Sequence, residues 1–268
     1  MKKTLSVISV LNFIFILLLS ISGSFGGIIS DILYYLSFVI PTALAFAIKR
    51  RLGIEIKPPR VTISGENLGI TLAVLSPSLS LIFLISYITS LILSPFGAGV
   101  SADVSGNIIL VLLNNAVIIP FFEEMLFRYV PLSLLSEHSR RGAVLYSAAF
   151  FACVHCSIYQ LPYAFVAGII FAFLDIMAES ITPSLLLHAV NNAISVLWLR
   201  YSGDALFSKV YILALVALSL ISIPIIFAMR KKIKRSLLPI ITEKKKVPFS
   251  LEAVAFFAAT VLIAFINL

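Results

Sequence analysis

Apolar runs of about 18–22 residues recur along the whole chain, each long enough to cross a bilayer core as a helix. A segment of that kind in lipid must satisfy its own backbone hydrogen bonds, so a helix is the form it takes. Of 268 residues, 60% are hydrophobic and only 12% charged, a balance that soluble domains do not show. No polar block stands apart as a second domain. The expected fold is all-α: one integral-membrane domain over residues 1–268, a polytopic transmembrane helix bundle of about 8–9 spans.

The formal charge of +8 does not point to nucleic acid. Eight of the 20 Lys and Arg residues lie between Arg230 and Lys246, with only Glu243 against them, and the rest of the chain carries 12 basic and 11 acidic residues. Such a basic loop beside a span marks the cytoplasmic side and contacts anionic lipid. Counting nine spans with the N-terminus inside puts 18 of the 20 Lys and Arg in inside segments, leaving Arg200 and Lys209 outside. The expected partner is the lipid bilayer and the expected location a multi-pass position in the plasma (cytoplasmic) membrane.

The spans can be placed in order. Residues 1–23 resemble a signal peptide, but the apolar stretch Leu5 to Ile21 is longer than the usual ~7–15 residue core, which favours an uncleaved first span. The second runs from Ile28 to Ile48. Residues 52–69 read as a surface loop with room for a short interfacial helix. The third, Ile70 to Leu93, contains Pro77 and is expected to kink there. Residues 94–106 form a Gly/Ser/Pro loop. The fourth covers 107–128, the fifth runs from Arg140 to near Ser157, and the sixth continues to Met177. Asp175 and Glu179 bracket an inner turn as caps or solvated charges. The seventh, eighth and last segments cover 183–199, 209–229 and 249–268. Cys153 and Cys156 have no second pair to complete a four-thiolate zinc site and read as small core residues.

Charges inside such a bundle need a reason, because each costs at least a few kcal/mol unless paired or hydrated. Pro120-Phe-Phe-Glu-Glu-Met-Leu-Phe-Arg128 holds three of them. Glu124 and Arg128 are i,i+4 neighbours and can pair, while Glu123 points ~100° away. One carboxylate is thus held while the other faces a cavity, an asymmetry that suits a general base. His155 lies in an apolar segment. His188 and Asn192 share a helix face one turn apart, with Asn191 beside them. Asn114 and Asn115 could line a cavity's closed end. Two carboxylates, two imidazoles and an amide can activate a water: a glutamate takes its proton, imidazoles hold the water or a Zn²⁺ ion, and an amide supports the oxyanion. Interhelical hydrogen bonding is the plainer use of the same groups. The pattern His-Glu-x-x-His is absent.

The motifs Glu-Glu-x-x-x-Arg (Glu123, Glu124, Arg128), Phe-x-x-x-His (Phe151, His155) and His-x-x-x-Asn (His188, Asn192), in order on apolar helices, resemble the CPBP family. That family groups type II CAAX prenyl endopeptidases with bacteriocin-processing and self-immunity membrane proteins. The resemblance covers residues 107–199, the expected catalytic core. It implies an intramembrane endopeptidase that hydrolyses a peptide bond in a membrane-associated peptide or protein substrate, with its site open toward the cytoplasm. It carries the catalytic assignment to Glu123, Glu124, Arg128, His155, His188 and Asn192, with Glu123 as general base and Asn192 in the oxyanion hole. A zinc bound by His155, His188 and Glu123 is one version of the site, and a metal-free glutamate-activated water is the other. The alternatives are a non-catalytic binding or immunity protein of the same fold and a cation-coupled transporter. The intact set of polar residues argues against the first, and the lack of a second Glu-Glu copy against the other.

One tension concerns depth. If the fifth span starts at Arg140 on the inside, His155 lies about 22 Å up, whereas Glu123 and His188 lie about 10 Å in, at ~1.5 Å per residue. Convergence needs a tilted fifth helix or one that starts below the membrane surface.

Overall fold

The computed structural model describes residues 2–52, 60–62, 64–96, 104–245, 247 and 249–266. Nine helices run through them: α1 (Lys2–Gly23), α2 (Gly27–Leu52), α3 (Gly65–Leu93), α4 (Ile108–Leu135), α5 (Arg140–Cys153), α6 (Leu161–Ala178), α7 (Thr182–Tyr201), α8 (Ala205–Ile241) and α9 (Leu251–Ile266). No strand occurs among the described residues. Each expected segment has its helix. Six of them (α1, α2, α3, α4, α6 and α8) are long and apolar enough to cross a membrane. The other three fall short for different reasons: α5 and α9 have only 14 and 16 residues, and α7, at 20, carries the polar side chains of the third motif. The interfacial helix expected between α2 and α3 lies largely outside the described residues.

The ends are set by familiar local chemistry. Asn107, Ser139 and Asp204 cap α4, α5 and α8 by accepting from Ile109, Gly142 and Phe207 N–H groups at 2.9, 2.9 and 2.7 Å. Pro162 and Pro183 occupy the first turns of α6 and α7, where a missing N–H costs nothing.

Two packed regions flank the motif helix. On one side α1, α2, α5 and α9 close around Phe127, whose ring meets that of Phe15 edge-on at 5.0 Å between centroids. On the other, α3, α6, α7 and α8 gather around Phe171 and Leu187. Helices α5 and α6 meet closely at Gly168, where a Cβ would fall 2.8 Å from the Cα of Ala148. The absence of that Cβ is what lets the two backbones approach.

The main departure from expectation is in α4. It does not end at Arg128 but continues to Leu135, with two wide π-turns at Leu113–Ile118 and Glu124–Tyr129. Each π-turn closes just before a proline. Ile119 N–H reaches back to Asn114 O, and the next residue is Pro120; Val130 N–H reaches back to Met125 O, and the next is Pro131. Proline has no N–H to give, so carbonyls one turn upstream are released from the helix. In lipid those carbonyls need other donors. The donors come from other helices, and both stand at the candidate site.

Candidate active site

Glu123 and Glu124 lie in the middle of α4, twelve and eleven residues before Leu135. That places Glu123 about 18 Å from the helix end at ~1.5 Å per residue, level with His155 just beyond the end of α5. The depth mismatch is therefore removed by the extra length of α4. His188, six residues into α7, reaches the same level because the turn before it is tucked in. Ser180, Ile181 and Thr182 are buried, and Ile181 N–H donates to Arg60 O at 3.2 Å.

Glu124 and Arg128 are completely buried and paired, Nε to Oε2 at 3.1 Å. The remaining guanidinium face is used as well. Its Nη1 donates to Ser147 Oγ at 3.0 Å, and its carbon lies 4.7 Å from the centre of the Phe151 ring. Ser147 in turn donates to Phe127 O at 2.7 Å, a carbonyl four residues before Pro131. One hydroxyl thus holds the arginine and repairs the proline's break.

His188 joins the two carboxylates. Its Nδ1 lies 2.8 Å from Glu124 Oε1 and its Nε2 3.2 Å from Glu123 Oε2. Glu123, unlike Glu124, lines a cavity of about 590 Å³ that it shares with His155, Asn115, Asn191, Asn192 and His188. His155 Nδ1 lies 2.7 Å from Phe151 O. A carbonyl only accepts, so Nδ1 carries the hydrogen and Nε2 of the neutral ring keeps its lone pair. Asn192 donates one amide hydrogen to Asn115 O at 3.0 Å, five residues before Pro120, and its second has no acceptor among the described residues.

The structure thus brings together Glu123, Glu124, Arg128 and His188 by direct contact, and His155 and Asn192 around the same cavity. It sharpens three expectations. His188 spends both ring nitrogens on carboxylates and has none left to hold water. Asn115 lines the cavity as expected, whereas Asn114 is not among its lining residues and instead accepts from the Tyr35 hydroxyl. Of the two roles expected for the pair, Asp175 takes that of a cap, here buried, accepting from Ser184 N–H at 3.1 Å at the start of α7, whereas exposed Glu179 pairs with Arg60 at 3.8 Å. Sequence reasoning missed Ser147 and the part played by Pro131. The proline was a visible signal; nothing in the sequence ties Ser147 to Arg128.

The donor set can also be tested against zinc. Among the described residues no three His, Cys, Asp or Glu side chains are grouped as a metal's ligands would be. His155, His188 and Glu123 are therefore not gathered as a ligand set in this arrangement, although His188 Nε2 and Glu123 Oε2 face each other at 3.2 Å. Cys153 and Cys156 are not joined in a disulfide, and Cys153 is buried.

Fold and site together define an integral membrane protein with a carboxylate–imidazole centre buried between helices. Residues 105–194, about one third of the chain, match the family described as "Type II CAAX prenyl endopeptidase Rce1-like". The matched stretch contains all seven motif residues. It is a family of proteases, and the match does not extend to the bacteriocin-processing group. No curated protein and no solved structure matches the chain.

Proposed function

We propose that the chain is an intramembrane endopeptidase in which Glu123 activates a water for attack on a peptide carbonyl. The observation that carries this is the contact of Glu123 with His188 at the floor of a cavity that also holds His155 and Asn192. A half-buried, supported carboxylate facing a cavity with room for water is what a general base requires.

The chemistry follows from the residues. Water entering the cavity is held between Glu123 and the His155 Nε2 lone pair. Glu123 takes one proton as the oxygen bonds to the carbonyl carbon. The charge that develops on the carbonyl oxygen meets the second Asn192 amide hydrogen. Glu123 then passes the proton to the leaving nitrogen as the C–N bond breaks, giving a carboxylic acid and an amine. His188, Glu124 and Arg128 do not touch the reacting atoms; they hold Glu123 in place and keep the buried charges balanced. No step passes through a metal.

The test compares purified, reconstituted wild type with Glu123→Gln on a panel of membrane-anchored peptides, with cleavage read by mass spectrometry. The expected result is loss of cleavage by about 10²–10⁴-fold, the usual contribution of a general base. Equal cleavage by the two would reduce the chain to a binding protein of the same fold.

A further inference from the structure

The bundle has two chemically different ends. At one, Arg60 meets Glu179, Ser139 meets Glu243 and Ser6 meets Glu252. That end also carries the start of α1, the start of α5 and the end of α8, and so nearly all of the basic residues. At the other end Arg200 donates to Val104 and Gly106 carbonyls at 3.1 and 3.0 Å. Among the described residues, Arg200 and Lys209 are the Lys and Arg of that end.

The cavity belongs wholly to the sparsely charged half. On α3 it begins at Leu79 and runs to Ser90, toward the helix's far end; on α7 it runs from His188 out to Leu199; on α8 it touches only Tyr211, near the start. No lining residue comes from α5 before Phe151 or from α6 beyond Phe171, the stretches nearest the basic end. The cavity therefore leads away from the basic loops. Its rim carries Tyr87, Tyr159, Trp198 and Tyr211, the residues that favour a membrane–water interface. Lys and Arg mark the cytoplasmic face of a multi-pass protein. The direction of the cavity and this charge rule together set the side from which substrate enters.

We propose that the site opens on the extracytoplasmic side and takes an uncharged, apolar or aromatic peptide segment presented there. The proposal rests on the peptidase reading for the word substrate, but not for the sidedness. The composition of the wall gives the substrate class. Glu123 is its one carboxylate and it carries no Lys or Arg, so an acidic side chain deep in the cavity has no cation to meet, and a basic one could pair only with Glu123, the group the chemistry needs free. A tail anchored at the cytoplasmic face, the location implied by the family resemblance, cannot reach Glu123 by this route.

Sidedness is tested by single cysteines in a Cys153→Ala, Cys156→Ser background in whole cells, with a membrane-impermeant maleimide. Ser195→Cys and Gln160→Cys probe the cavity, Ser202→Cys marks its end of the bundle and Lys244→Cys marks the basic end. The expected result is labelling of the first three in intact cells and of Lys244→Cys only after permeabilisation. Labelling of the cavity positions from the same side as Lys244→Cys, or their failure to label from outside, overturns the proposal. Should the background not fold, wild type is given anchored reporters whose apolar target segment faces one side or the other. Cleavage confined to the extracytoplasmic orientation supports the proposal, and cleavage of the cytoplasmic one overturns it. Glu123→Gln should label as its parent does. If it also cleaves like wild type, the peptidase reading falls while the sidedness stands.

Discussion

Arg128 concentrates the physics of the site into one side chain. It is fully buried, yet its fork reaches Glu124 and Ser147 and its face covers Phe151. Removing one partner of a buried pair leaves the other uncompensated, at about 3–5 kcal/mol. Arg128→Met is therefore expected to lower the unfolding midpoint in detergent far more than Arg230→Met, a change at an exposed cation. Arg128→Lys should not rescue it, because a point charge cannot serve a carboxylate and a hydroxyl in the fork's geometry. Ser147→Ala should cost about 1–3 kcal/mol by orphaning both Arg128 and the Phe127 carbonyl, read by the same melts. The Glu124–Arg128 pairing was legible because helical periodicity alone puts residues four apart on one face. Ser147 was not, since its partner is nineteen residues away on the preceding helix and only packing brings them together.

At the scale of elements, the prolines of α4 govern the geometry. Pro120 leaves the Asn115 carbonyl without a helical donor, and Asn192 supplies one. Pro120→Ala restores an N–H, so the π-turn can relax to an ordinary α-turn and the residues before it rotate. The expected outcome is at least a tenfold loss of cleavage, by analogy with the cost of small misplacements in a site, without loss of thermal stability. A stable variant with full activity would show that the wide turn is incidental. Gly168→Leu is expected to separate α5 from α6 and to destabilise by about 1–3 kcal/mol or more, the usual cost of overpacking. The helices themselves were legible as apolar runs. The true end of α4 was not, because charges at the end of an apolar run look like a terminus. Only the contacts of Glu124, Arg128 and His188 reveal them as interior.

Across the whole molecule, two conditions should separate fold from chemistry. Cleavage is expected to persist after exhaustive chelation, since no three ligating side chains are grouped among the described residues; a loss that added zinc reverses would refute this. Acid should loosen the basic end first. Burial raises the Glu243 carboxyl, but donation from the Arg141 N–H and the Ser139 hydroxyl together with nearby Lys245 brings it below the usual carboxylate range. Its folded value being depressed, its contribution is present above the ordinary range and lost as pH falls through the lowered one. Hydrogen exchange at the start of α5 should accordingly rise at low pH in wild type and already be high at neutral pH in Glu243→Gln. The sequence by itself determined the solvent the protein lives in, the helical form, the sidedness of its charge and the identity of the polar residues, because each depends on local composition or on spacing along one helix. The tertiary structure decided which carboxylate faces the cavity, which is locked to Arg128, how His188 bridges them and toward which end the cavity leads. Those depend on distances between helices, and no periodicity within one helix encodes them.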